Sequence, residues 1–208
     1  SEKVRYNAAR VLGEMGDHDA VEPLIEVLKH DKNGSVRLYA ARALGELGDD
    51  RATAHLIESL REDRNVDVRV RAARALGRLG GEEVVLPLVE ALSDGNSQVC
   101  ITAADALIEI GKIAVRPLIK SLKHDKVNVR CDAARALGEL GDAKAVQALM
   151  GVLLNADENN LVRAGAAQSL GMLKDARALI PLRNLIMKAD ELGEIEDTAL
   201  KAYKMIMA

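Results

Sequence analysis

The chain has 208 residues, 49% hydrophobic but only 1% aromatic, with no Trp or Phe and three tyrosines, Tyr6, Tyr39 and Tyr203, so its core must be built from Ala, Leu, Val and Ile. A net charge of −3 offers no global attraction to nucleic acid or to an anionic membrane. No apolar run approaches the ~20 residues that span a bilayer, no signal-peptide pattern opens the chain, and Cys100 and Cys131 read as reduced thiols of a cytoplasmic protein.

The first predicted element opens at Val4 with a phrase that then recurs, Val-Arg-x-x-Ala-Ala-x-x-Leu-Gly-x-Leu-Gly. Copies begin at Val4, Val36, Val68, Val99, Val129 and Val162, spaced 32, 32, 31, 30 and 33 residues apart, and a degenerate seventh start at Ile195 opens a terminal helix over 195–207. A period in this range marks a stacked repeat protein. The expectation is a single repeat domain over 1–208.

Within each copy, counting the starting Val as zero, apolar residues fall at offsets 0, 4, 8 and 11, as in Val36, Ala40, Leu44 and Leu47. That spacing gives one face of a helix. Asn33, Asn65, Asn96 and Asn159 stand where an N-cap belongs. Gly16, Gly48, Gly80, Gly111 and Gly141 stand where the chain must turn through positive φ. A second helix follows with its own stripe, Val21, Leu24, Ile25 and Leu28, and a capping box from Asp19 and Glu22. Pro23, Pro87, Pro117 and Pro181 occupy one position near its start, where Pro is tolerated. Gly13, Gly45, Gly77, Gly138 and Gly171 lie inside the first helix at a cost of about 1 kcal/mol each. Beside the Ala8–Ala9, Ala40–Ala41 and Ala72–Ala73 pairs, the reason is close approach of a neighbouring helix.

The phrases Val36–Asp49 (VRLYAARALGELGD) and Ala20–Leu28 (AVEPLIEVL) resemble HEAT-like repeats of the phycobilisome-lyase type, over essentially residues 3–208. The resemblance implies an all-α fold, a right-handed α-α superhelix (armadillo-like α-solenoid) of six helix pairs plus a terminal helix, whose first helices line a concave groove. It implies little about activity, because such repeats serve as scaffolds, bilin lyases, a di-iron hydroxylase and DNA glycosylases. The hydroxylases bind iron through His-Glu pairs, and none of His18, His30, His55 or His124 is followed by Glu. The glycosylases rely on aromatic residues and a basic groove. Neither cofactor nor metal is expected, and the Lys-His-Asp contexts of His30 and His124 read as polar loops.

The arginine after the starting Val (Arg5, Arg37, Arg69, Arg130, Arg163) is expected to form an inter-repeat ladder with Asp31, Asp63, Asp125 and Asp157. Copy three departs from its neighbours by crowding Arg64, Arg69, Arg71, Arg74 and Arg78 together. Copy four departs further, with Cys100 in place of the ladder arginine, Ile108 in place of the internal Gly and a turn one residue shorter, which predicts a local change of curvature. At the end, Met187–Glu194 reads as a polar connector and Ile195–Met207 as a single unpaired helix. Ser1-Glu2-Lys3 leads straight into a standard copy, which points to a fragment of a longer protein.

No GxGxxG, P-loop, HExxH, CxxC or GxSxG pattern occurs. The reading is therefore non-enzymatic. Offsets 2, 6, 9, 10 and 13 of the first helix are predicted to point away from the apolar stripe. Offset 2 is apolar (Tyr6, Leu38, Val70, Ile101, Cys131, Ala164), offset 6 mostly Arg (Arg10, Arg42, Arg74, Arg135) and offset 10 mostly Glu, with Arg78 and Met172 the exceptions. Together with Tyr39 and Arg71, the residues Tyr6, Arg10, Leu38, Arg42, Val70, Arg74, Arg78, Ile101 and Arg135 form the expected partner-binding surface of a protein-interaction scaffold. The alternative for offset 2 is packing between repeats, and for the Arg and Glu rows surface pairing. The expected partner is a protein or acidic peptide segment docking near copies two and three, with nucleic acid disfavoured by charge. The alternative function is a subunit of a bilin-lyase-like or other enzyme-associated repeat protein.

Overall fold

The computed structural model describes residues 1–187 and 194–208, so most of the expected polar connector lies outside the described residues. Those residues form helices, short 3-10 turns and connecting loops, with no strand among them. Copy one is α1 (Glu2–Met15) and α2 (Val21–His30), copy two α3 (Gly34–Leu47) and α4 (Thr53–Glu62), and copy three α5 (Val66–Leu79) and α6 (Val85–Ala91). Copy four is α7 (Ser97–Ile110) and α8 (Val115–Ser121), copy five α9 (Val127–Leu140) and α10 (Val146–Leu154), and copy six α11 (Asn160–Leu173) and α12 (Leu179–Ile186). The last helix is α13 (Glu194–Met207). The chain divides into two compact units, Ser1–Ile110 and Gly111–Ala208, and the division falls inside copy four, two residues after Ile108.

In each unit successive first helices pack on one another, α1, α3, α5 and α7 in the first and α9, α11 and α13 in the second. Each second helix packs chiefly on the first helix that follows it, as α2 does on α3 and α10 on α11. From copy two onward the expected apolar stripe is the core: Val36, Ala40 and Leu44 are fully buried, as are Val162, Ala166 and Leu170, whereas in copy one Val4 is 66% exposed. The terminal helix is a single one added to the six pairs, and it packs as another first helix would: α13 lies against α11 and α12 and buries Ile195, Ala199 and Ala202.

Helix ends follow the capping chemistry with one correction. Asn33 accepts from the Ser35 and Val36 amides, and Asn65, Asn96 and Asn159 each accept from the amide two residues on. Gly16, Gly48 and Gly141 end their helices at φ near 70° in the left-handed region, and Lys174 takes that conformation in copy six. The capping box from Asp19 and Glu22 does not form. A 3-10 turn over His18–Ala20 leads into α2, and Asp17 caps that turn by accepting from the Asp19 amide. Asp49, Asp142 and Asp175 do the same in their copies.

The internal glycines mark the tightest contact. A Cβ on Gly45 would lie 2.6 Å from Ala75 Cβ and 2.8 Å from its Cα, and one on Gly13 would lie 2.8 Å from both atoms of Ala43. Gly77 meets Ala106 in the same way, and in the second unit Gly138 meets Ser169 and Gly171 meets Ala202. The close approach is therefore between offset 9 of one first helix and offset 7 of the next, not at the Ala-Ala pairs. Offset 9 does not point away from the core, because a first helix is flanked by neighbours on two sides. Ser169 adds a 2.8 Å hydrogen bond from its hydroxyl to the Ala134 carbonyl.

Above each glycine contact runs the arginine ladder. Arg5 reaches Asp31 through Nε and Nη2 at 2.6 and 3.1 Å, Arg37 reaches Asp63 at 2.7 Å twice, and Arg69 reaches Asp94 at 2.9 Å twice. Each carboxylate also accepts the backbone N–H of the capping Asn two residues on. Arg37 and Arg69 donate a further bond from Nη1 to the carbonyls of Asp31 and Asp63. The second unit corrects the expected partners. Arg130 binds Glu158 at 2.6 Å rather than Asp157, since Glu158 adjoins the capping Asn159 and accepts its amide as well. Arg130 also donates to the Asp125 backbone carbonyl, while Arg163 donates to the Leu153 carbonyl. Cys100, at the ladder position of copy four, sets its thiol 3.4 Å from the Asp94 carbonyl.

Gly45→Ala should destabilise the protein by about 1–3 kcal/mol through overpacking, whereas Gly151→Ala, mid-helix with open space around its Cα, should stabilise it by up to ~1 kcal/mol; urea titrations measure both. The ladder has its own signature in pH. Burial pushes the Asp63 carboxyl up, but its bonds from Arg37 and the Asn65 amide outweigh this and leave it below the usual carboxylate range. The resulting stability is present above the unfolded carboxylate value near pH ~4 and is lost as pH falls through the lower folded value. Arg37→Ala should therefore cost about 2–3 kcal/mol at neutral pH and flatten the acid limb of a stability–pH curve.

Candidate functional site

Because the Gly–Ala contacts draw successive first helices together, side chains at offsets 3, 6 and 10 converge over each contact. On α5 these are Arg71, Arg74 and Arg78, spaced i, i+3 and i+7 along one side of the helix. With Arg42 and Glu46 of α3 they line a hollow of about 190 Å³ whose floor is Gly45 and Ala75. Arg71 is half-buried, while Arg74 and Arg78 are exposed.

The charges on α5 are not paired as they are in copies one, two and five. Arg10 binds Glu14, Arg42 binds Glu46 at 2.7 Å, and in the second unit Arg135 binds Glu139 at 3.0 Å, all at i, i+4. These three arginines each pair with a glutamate of their own helix. Bonding to Glu46 raises the Arg42 pKa. Arg71, Arg74 and Arg78 make no hydrogen bond or ion pair to any described residue. Arg78 stands where Glu14 and Glu46 stand in the preceding copies, so Arg74 meets a like charge one turn on instead of an acid. On its other side Arg74 borders a smaller hollow, about 100 Å³, with Asp105 and Glu109 of α7.

Beside the arginines runs the offset-2 row. Tyr6, Leu38 and Val70 are half-buried and Ile101 is 44% exposed. The Tyr6 and Tyr39 rings stack with centroids 5.2 Å apart and planes 22° from parallel. Thus Tyr6, Leu38, Tyr39, Arg42, Val70, Arg71, Arg74, Arg78 and Ile101 belong to the first unit, whereas Arg135 and Cys131 belong to the second.

A larger hollow of about 470 Å³ lies at the loop edge of copies one and two, lined among others by His30, Arg37, Glu62 and Arg64. The sequence does not reveal it, because its members come from two helix ends and a ladder rung. Its central charges, Arg37 and Asp63, are already bound to each other. The histidines stand apart: His18 pairs with Asp49, whose carboxyl is held well below its ordinary range by Arg51 and His18, and His30 lies 3.6 Å from Glu26. Among the described residues no group of three or more His, Cys, Asp or Glu is placed to hold a metal ion. Cys100 is buried, Cys131 is half-buried with its thiol pushed up by burial, and neither is in a disulfide. No described helix is long and apolar enough to cross a membrane.

A family profile described as HEAT repeats matches residues 1–65, 53–126 and 115–204. Among solved structures the chain is similar to the complex of CpcE and CpcF of phycocyanin lyase from Nostoc sp. PCC7120, at 27% identity and a TM-score of 0.54 over 98% of this chain and 89% of that one. It is similar to human deoxyhypusine hydroxylase in complex with glycerol, at 25% identity and a TM-score of 0.52 over 100% and 80%. An archaeal HEAT-like repeats protein from Thermococcus onnurineus NA1 shares the fold at 17% identity, with a TM-score of 0.60 over 100% and 97%. Curated protein sequences hold no significant match.

If Arg78 is an exception retained at the expense of surface pairing, Arg78→Glu should raise stability by about 0.3–0.5 kcal/mol, because the introduced carboxylate would pair with Arg74 one turn away. A thermal melt beside Arg10→Glu, which breaks an existing pair and should lower stability, checks the sign.

Proposed function

The chain belongs to the HEAT-repeat family, an α-solenoid fold, and on that premise we propose that it is a non-enzymatic interaction scaffold whose first-helix face binds a protein segment carrying negative charge. The observation that carries this reading is the set of three arginines on α5 that are bonded to no acid, beside a half-exposed apolar row. Charged and apolar groups side by side match the composition of an interface: the apolar strip supplies contact area and arginine supplies anchors. The segment lies across α3 and α5, its apolar residues on Leu38 and Val70 and its negative charge over Arg71, Arg74 and Arg78. We place the protein in the cytoplasm, where both thiols stay reduced.

Arg74→Glu combined with Arg78→Glu should weaken the partner by about tenfold or more, as expected for reversing two charges at a desolvated contact. Affinity capture from lysate with wild type and variant side by side, followed by titration of the captured partner, measures it; unchanged affinity would remove this surface from the function.

A second reading, a bilin-lyase-like subunit, is favoured by the similarity to the CpcE and CpcF complex. Incubation with a bilin and a phycobiliprotein discriminates: a protein-dependent absorbance change supports the lyase reading, and its absence supports the scaffold.

A further inference from the structure

We propose that the hollow between α3 and α5 is a seat for the phosphate of a phosphorylated side chain, a phosphoserine or phosphothreonine, on the docking segment. This inference rests on the interaction-scaffold reading and specifies its ligand. Four guanidiniums line the hollow against one carboxylate, and that carboxylate, Glu46, is already bound to Arg42. Arg71, Arg74 and Arg78 keep all their donors available, and a guanidinium presents these as a planar fork that suits phosphate oxygens. The floor of Gly45 and Ala75 is small because the helices touch there, so the arginine heads surround a pit rather than a ridge. A volume of about 190 Å³ holds a compact head group and not a second helix.

The surroundings decide which anion fits. On one side of the pit, Arg10 is closed by Glu14 and Arg42 by Glu46. On the other, the next hollow presents Asp105 and Glu109. Positive charge is therefore concentrated at a single step of the stack, roughly 8–10 Å wide. A nucleic-acid backbone leaving the pit in either direction along the stack would run over carboxylates, and so would a long acidic stretch. A phosphate monoester delivers a charge of about −1.5 to −2 and three acceptor oxygens from one residue. The half-buried Leu38 and Val70 beside the pit then receive uncharged neighbours of that residue. The ligand is a singly phosphorylated, otherwise weakly charged segment.

The test is a titration of the full chain with four probes, followed on the arginine Nε–H signals by NMR: N-acetyl-phosphoserine amide, N-acetyl-glutamate amide, inorganic phosphate and oligothymidylate. The expected result is saturable shifts of the Arg71, Arg74 and Arg78 signals by phosphoserine and phosphate, with phosphoserine binding roughly tenfold tighter than glutamate. The Arg5, Arg37 and Arg69 signals, held in the ladder, should stay in place. Arg74→Lys with Arg78→Lys keeps charge and fold while removing the forks, and should weaken phosphoserine several-fold; Arg78→Glu should abolish the response. Equal binding of glutamate and phosphoserine, preferential binding of oligothymidylate, or no shift with either phosphate probe each overturns the phosphate seat. If a captured partner still depends on Arg74 and Arg78 after such a result, only this inference falls; if that dependence is lost as well, the scaffold reading falls with it.

Discussion

The contact between a glycine at offset 9 of one first helix and the small residue at offset 7 of the next is the constraint on which the rest depends. It brings Gly45 onto Ala75 and Gly77 onto Ala106 in the first unit, and Gly138 onto Ser169 and Gly171 onto Ala202 in the second. A mid-helix Gly costs about 1 kcal/mol against Ala. Overpacking a site where backbone meets backbone costs about 1–3 kcal/mol, so the glycine is the less destabilising choice at every one of these steps. The same closeness brings side chains from adjacent helices over a shared floor, and thereby makes a pit out of residues that would otherwise stand apart on two rods.

The arginine ladder answers a different need. Burying a turn between helices leaves amides and carbonyls that must find partners. One rung serves both kinds at once: Asp63 accepts from Nε and Nη2 of Arg37 and from the Asn65 amide, Arg37 Nη1 donates to the Asp31 carbonyl, and Asn65 in turn caps α5. Each rung therefore ties a first helix to the turn that begins the next, fixing register along the stack. Arg37 and Arg69 are held by three such bonds each, which commits them to the fold. Arg71, Arg74 and Arg78 of the pit differ from them in context: they lie further along α5 and are bonded to no carboxylate, although Glu46 lines the same pit and Asp105 and Glu109 border Arg74 on its other side.

Much of this is legible in the sequence. The period, the caps at Asn33 and Gly48, the reason for the internal glycines and the principle of the ladder all follow from local chemistry repeated in most of the six copies. What is not legible depends on how one copy meets the next. Offset 9 lies on the opposite side of the helix from the starting Val, so a single-stripe reading turns Gly45 toward solvent, whereas a helix flanked on both sides buries it. The capping role of Asp17 rather than Asp19 depends on a 3-10 turn that periodicity does not reveal. Glu158 displaces Asp157 because of where a longer loop puts it. The apolar row admits two readings from its sequence and has features of both, half-buried at Leu38 and Val70 yet open at Ile101. Arg78 is legible as an exception, but that it shares a floor with Arg42 requires the packing.

The most direct measurement of the central constraint is a double-mutant cycle on Gly77→Ala and Ala106→Gly in the full chain, read by urea denaturation. A Cβ on Gly77 would meet the Ala106 Cβ at 2.8 Å, so removing that methyl should relieve much of the clash. Each single change should destabilise, and the double variant should be more stable than their sum by about 1 kcal/mol or more. Strict additivity would mean that the two residues do not limit each other, and would contradict the claim that this contact sets the spacing of the stack.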